Sequence, residues 1–308
     1  MGNLTYRPLR RDLGRACARG CAAVVFLLVL LCALPAMATI TSKATTGRAA
    51  RDAAVKAIPF GELTPATQEK LNDVISRPSM YRRMPVKVIE CDPDLYVFLV
   101  RYPEVVVNIW QRMGITEVAA KRTGDFSLLT SDGAGTRSNV ELVYGTRDKH
   151  VFYATATYDG PLVKRPLHAR CVFLLQSGYL EASPGRTHIA SQLDVFIRID
   201  HTGADLALKA LHPLVGKTAD INFTESVGFL QQISQAAGTN TYGLRRLAAG
   251  LTGVDGAVRE YFAGLVQNAS RRAAARVASQ PQAATATPSD RPANWRPAGG
   301  GHSSAMRP

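Results

Sequence analysis

Two groups of side chains lie close enough along this sequence to do chemistry together. The first is His188, Asp194, Asp200, His201 and His212, residue types that ligate divalent metals. A metal would need them to converge. His188 and His201 instead stand at opposite ends of one strand expected over Arg186 to Ile199, and about 40 Å separates such ends at ~3.3 Å per residue. Structural or solvated roles are therefore expected for each histidine, and no metal. The second group is Asp194 and Arg198, four residues apart on one strand face that also carries His188 and Gln192. If that face lines a cavity, the pair would orient the polar head of a ligand. A half-exposed antiparallel sheet produces the same alternation by default, which favours a solvated face. No Gly-x-Ser-x-Gly elbow, His-Glu-x-x-His helix, phosphate-binding glycine loop or dinucleotide fingerprint occurs in the chain. Neither a catalytic residue nor a cofactor is expected.

The 308 residues are 46% apolar and 20% charged with a net charge of +13, which excludes a wholly disordered or collagen-like chain. Residues 1–38 have the order of a secretory signal peptide: Arg7 to Arg19, the uncharged run Cys21 to Leu34, then Pro35 and Ala36-Met37-Ala38. Export to the periplasm or the exterior follows, with an uncleaved membrane anchor as the alternative. The leader removes five arginines and one aspartate, while residues 271–308 hold six arginines against Asp290, so the body is only mildly basic. The basic tail would touch an anionic envelope surface and provides no groove for reading specific nucleic acid. Three of the five cysteines leave with the leader. Cys91 and Cys171 remain, either as one disulfide, permitted in an oxidising compartment, or as two buried thiols.

The elements that must position these residues fall into one domain over 61–276, after a flexible lead-in at 39–60 and before a disordered Ala/Pro/Arg tail at 277–308. Thr64-Pro65 is an N-cap with proline at the first helical position. Val86, Val88 and Cys91 suggest a strand ending at Asp92-Pro93, which opens two short helices separated by Pro103, the second ending at Gly114. From Ile115 to Ile199 the period changes to two. Turn signals recur at Thr123-Gly124, Asp132-Gly133, Gly145, Asp159-Gly160, Gly178 and Pro184-Gly185, as expected of antiparallel hairpins. Helical periodicity returns after a turn at 200–203 and runs through Val227, Phe229, Leu230 and Ile233. A last helix is expected over Asp255 to Arg276. Past it the composition buries too little apolar surface to offset ordering entropy.

Strand, two short helices, a run of antiparallel strands and a long C-terminal helical region is an order that resembles the START (SRPBCC) superfamily. Asp92-Pro93-Asp94 opening Tyr96 to Tyr102, then Pro103-Glu104 leading to Ile109-Trp110 and Gly114, looks like the helix pair that family inserts after its first strand. The resemblance covers residues 85–240. It implies an α+β helix-grip fold, in which a curved antiparallel sheet grips a long C-terminal helix around an apolar cavity. It also implies a lipid or other hydrophobic small molecule as the ligand. Wall residues on that reading are Trp110, Phe152, Phe173, Phe196, Phe223 and Phe229, with Asp194 and Arg198 as polar groups. Each aromatic is equally an ordinary core residue. Two rivals stand beside non-enzymatic binding. One is an envelope structural or interaction protein with a filled core, and the other, since related folds host both, is a cyclase or hydrolase.

Overall fold

The computed structural model describes residues 43–161, 163, 165–183, 185–200 and 204–279, with the backbone alone at 204–215 and 279. The expected leader at 1–38, residues 201–203 of the expected turn, and residues 280–308 of the expected tail lie outside the described residues. In chain order the elements are α1 (Arg48–Ala57), α2 (Pro65–Ile75), β1 (Met80–Arg83), β2 (Lys87–Glu90), α3 (Pro93–Arg101), α4 (Pro103–Arg112), β3 (Ala119–Gly124), β4 (Ser127–Ser131), β5 (Thr136–Gly145), β6 (Lys149–Tyr158), β7 (Leu167–Ser183), β8 (Arg186–Ile199), α5 (Ala204–Thr239), α6 (Thr241–Ala249) and α7 (Gly256–Ser279).

The eight strands form one open antiparallel sheet in the order β1-β8-β7-β6-β5-β4-β3, with β2 also paired to β8. β1 and β2 share one edge of β8: Met80 to Arg83 pair with Ile197 to Asp194, and Lys87 to Glu90 with Ser191 to His188. Consecutive hairpins build the rest, because each alternating segment is followed by a residue that turns. The chain is thus α+β, with C-terminal helices against an antiparallel sheet.

Strand period two divides the side chains between two faces. One face carries Leu128, Val140, Phe152, Ala154, Cys171, Phe173, Leu175, Leu193, Val195 and Ile197 into the larger core, where α3, α4, α5, α6 and α7 pack. The other carries Val151, Val172, Leu174 and Phe196 against Leu71, Val74 and Ile75 of α2 and Ala54 of α1. The segment 39–60, expected to be a flexible lead-in, therefore contains a packed helix. Its apolar stripe is too narrow to stand out among Arg48, Arg51 and Lys56, and tertiary burial of Ala54 and Ile58 supplies the order that local pattern does not.

Caps read from the sequence hold. Thr64 Oγ1 accepts from the Thr67 amide at 3.3 Å, and Asp92 Oδ1 accepts from the Asp94 and Leu95 amides, both at 3.1 Å, with Pro65 and Pro93 next in line. Gly114, at φ +69°, closes α4: its amide donates to the Gln111 carbonyl and that of Ile115 to Trp110, the paired bonds of a Schellman ending. Gly178 was expected to turn the chain. Instead β7 runs through it, paired with Ala190. Continuous pairing with the long strand β8 overrides the local preference of one glycine.

Asp92 joins three helices: it caps α3, its amide donates to Ser234 Oγ of α5 at 2.8 Å, and its carboxylate receives Arg272 of α7 at 2.6 and 2.9 Å. Tyr96 pins α3 to the sheet, its hydroxyl lying 2.8 Å from Ser177 Oγ and 2.7 Å from Ser191 Oγ. These buried bonds fix α3 over β7 and β8.

Candidate functional site

The residues nominated from sequence do not line one space. Trp110, Phe152, Phe173, Phe223 and Phe229 belong to the larger core; Phe196, Asp194 and Arg198 project from the opposite face. Period two separates Val195 from Asp194 and Phe196, so one cavity cannot receive both sets. The polar face is not solvated either. Asp194 is fully buried, accepting from Tyr81 Oη at 2.6 Å and from Arg83 Nε and Nη2 at 2.8 and 3.2 Å. Burial and the Asp194 carboxylate both push the Tyr81 phenol far above its usual range, so it stays protonated and donates. Arg198 and Arg170 converge on Asp73 of α2, and Arg170 also reaches Asp200. Asp194 and Arg198 thus bind the edge strand and α2 to the sheet and are not free to orient a ligand.

In the larger core Phe223 is 1% exposed beside Val227, Leu230 and Ile233, and Trp110 packs on Phe229 with ring centroids 5.3 Å apart. Cys91 and Cys171 stand as free buried thiols, so the disulfide alternative is not realised. Burial pushes both up to about 12. Among the described residues no group of His, Cys, Asp and Glu is arranged to hold a metal, and no helix is long and apolar enough to cross a membrane.

A cleft opens elsewhere, between the sheet and the C-terminal helix α7, with a volume of about 580 Å³. Helix α3 contributes Asp94, Val97, Phe98 and Arg101 and its C-cap Tyr102; the β3–β4 turn contributes Asp125 and Phe126; β5 contributes Leu142, the next turn Arg147, and α7 Tyr261 and Leu265. Pro103 stops α3 at Tyr102, which stacks on Phe98 with centroids 4.8 Å apart. Tyr261 meets Phe98 edge-on at 5.2 Å, and Phe262 stacks beneath Phe98 at 5.6 Å. Offset and edge-to-face contacts of this kind are the favoured aromatic geometries, and they set a rigid apolar floor. Phe126 and Tyr261 remain 63% and 55% exposed at its lip. A separate crevice of about 10 Å³ is lined by Phe126, Leu142 and Phe152, the last one of the nominated wall residues.

The polar end is built by arginines. Arg122 clamps the buried Glu104 with Nε and Nη2 at 2.6 and 2.9 Å, lies over the Tyr102 ring at 4.7 Å, and donates to the Asp125 carbonyl at 2.7 Å, fixing the turn that presents Phe126. Arg101 donates to His150 Nε2 at 3.1 Å and to the Gly145 and Thr146 carbonyls. With Nε2 accepting, the neutral ring carries its proton on Nδ1, which has no acceptor. Burial first, and then the Arg101 charge, lower the His150 pKa to about 4. Among the described residues Arg101 therefore has only neutral hydrogen-bond partners. Arg147 stacks over Tyr179 at 4.9 Å at the same rim.

The signal for this cleft was present but dispersed: an apolar Phe126 inside a hairpin turn, and Arg101-Tyr102 where a helix must end. Nothing in the spacing joins them to Tyr261.

No family model and no curated protein matches the chain. Solved structures similar to it include the Mll3558 protein from Rhizobium loti, at 12% identity, covering 46% of this chain and 98% of that one, with a TM-score of 0.23. A superposition that slight carries no argument about fold or function.

Proposed function

We propose that this chain is an exported, non-enzymatic binding protein for a lipid or other hydrophobic ligand, held between the sheet and the C-terminal helix in a START-like, helix-grip manner. The cleft of about 580 Å³ carries the reading, since small-molecule sites enclose roughly 300–1,000 Å³ of mainly apolar wall with a few placed polar groups. Phe98, Tyr102, Leu142 and Leu265 would take the apolar body. Arg101 and Arg147 would meet a polar or anionic head at the rim. The helix that borders the cleft on this reading is α7, through Tyr261 and Leu265. Export rests on the leader at residues 1–38.

Native mass spectrometry and lipid extraction of the purified protein test this directly. A co-purifying amphiphile, or stoichiometric uptake of an added fatty acid, is expected. A protein that arrives empty and takes up nothing overturns it.

The filled core beneath α5 favours a second reading, an envelope structural or interaction protein on the same fold, whose basic tail contacts an anionic surface. On that reading the cleft would seat a side chain of a partner and would show no affinity for free lipid.

A further inference from the structure

A second concavity of about 530 Å³ lies between α6 and α7, lined by Tyr242, Arg245, Arg246, Ala249, Arg259 and Glu260 among others. Its arginines, like Arg101 and Arg147 at the cleft rim, are in no ion pair among the described residues. Arg82, Arg83, Arg122, Arg170, Arg186, Arg198, Arg272 and Arg276 all sit in ion pairs with carboxylates. In the groove Arg245 reaches only the neutral Gln267, and Arg259 gives Nη1 to the Ala249 carbonyl at the end of α6. The buried Nε of Arg259 has no acceptor. Arg112 arrives beside them on the Gly250 carbonyl at 2.6 Å. Among the described residues none of these four has a carboxylate within ion-pair distance. Tyr242 stands 78% exposed on the same helix as Arg245 and Arg246.

We infer that the groove between α6 and α7 docks the protein on an anionic phospholipid surface, with Arg245, Arg246 and Arg259 on lipid phosphates and Tyr242 at the headgroup level. Uncompensated arginines attract an anionic leaflet and present several N–H donors to a phosphate, and tyrosine is amphipathic enough to sit in the interface. Helix α7 separates the two concavities. Tyr261 and Leu265 face the cleft, while Arg259 and Ala263 line the groove. The groove stands on its own observations, whatever the cleft binds.

Co-flotation of the whole chain with phosphatidylcholine vesicles, with and without phosphatidylglycerol, tests the docking. Comparing it with the double variant Arg245→Gln, Arg246→Gln cancels whatever the leader and tail add. Both side chains are exposed, so an unchanged melting curve is expected to accompany the variant. Binding that needs phosphatidylglycerol, falls with salt, and weakens about thirtyfold in the variant is the expected result. Equal binding by both chains, or binding of nucleic acid or inorganic phosphate with no preference for the anionic vesicles, overturns it. Uptake of a free fluorescent fatty acid should be the same in both chains, which separates failure of the groove from failure of the cleft.

Discussion

Replacing Glu104 by Gln keeps the volume of a side chain that is 2% exposed and removes the charge that two Arg122 nitrogens hold at 2.6 and 2.9 Å. Arg122 is itself only 16% exposed, so its guanidinium would be left largely desolvated with no counter-charge. Breaking one side of a buried ion pair costs about 3–5 kcal/mol. At about 2–4 °C per kcal/mol for a domain of this size, the melting temperature should fall by roughly 6–20 °C. The same substitution at Glu90, whose partner Arg186 is 51% exposed, should cost less than about 1 kcal/mol. Thermal and urea melts of the two variants measure the contrast. Converting the buried pair together, Glu104→Met with Arg122→Met, should recover much of the loss, because the unpaired charge goes with it. A Glu104→Gln loss no larger than that at Glu90 would mean that water reaches the pair, and the rigid support of the Phe126 turn would have to be abandoned.

Acid should destabilise the protein through His150. Its pKa falls from 6.5 to about 4 in the folded state, so the unfolded chain binds the extra proton between those values. That contribution, on the order of 3 kcal/mol, is complete above pH 6.5 and is lost as pH falls toward 4. Urea melts of His150→Gln across that window should lack this part of the slope, and an unchanged slope would contradict the assignment. Cys91 and Cys171 should resist alkylation at pH 8 in the native protein and react on unfolding, as mass spectrometry would record, since burial holds both thiols protonated. Rapid labelling of either in the folded state would contradict their burial. Gly185, at φ +74° and with the Arg276 side chain 2.9 Å from where a Cβ would stand, should lose roughly 1–3 kcal/mol on substitution by Ala. A neutral Gly185→Ala melt would place the hairpin turn in another conformation.

What the sequence discloses about this fold depends on how local the cause is. Alternation and turn residues outline the strands from β3 to β8, and Thr64, Asp92 and Gly114 mark helix ends, because each acts within a few residues. The edge strand β1 was not legible. Met-Tyr-Arg-Arg has no apolar alternation, and its order comes from pairing with β8 and from Asp194, over a hundred residues away. For the same reason the face carrying Asp194 and Arg198 reads as solvated from sequence, when α1 and α2 cover it. The cleft was the least legible feature, since its lining runs from Asp94 to Leu265 and meets only when α7 folds back over α3. Aromatic residues chosen one at a time were core residues, because packing and ligand contact use the same side chains.

Filling the cleft tests the central claim most directly. Leu142→Trp places added bulk among Phe98, Phe126 and Tyr261, and Tyr242→Ala serves as a control outside it. Titration with a fluorescent fatty acid should give saturable uptake by the parent and the control and at least a tenfold loss in Leu142→Trp, provided its melting curve matches the parent's. Undiminished uptake by the filled variant would show that any guest molecule sits somewhere other than between the sheet and α7.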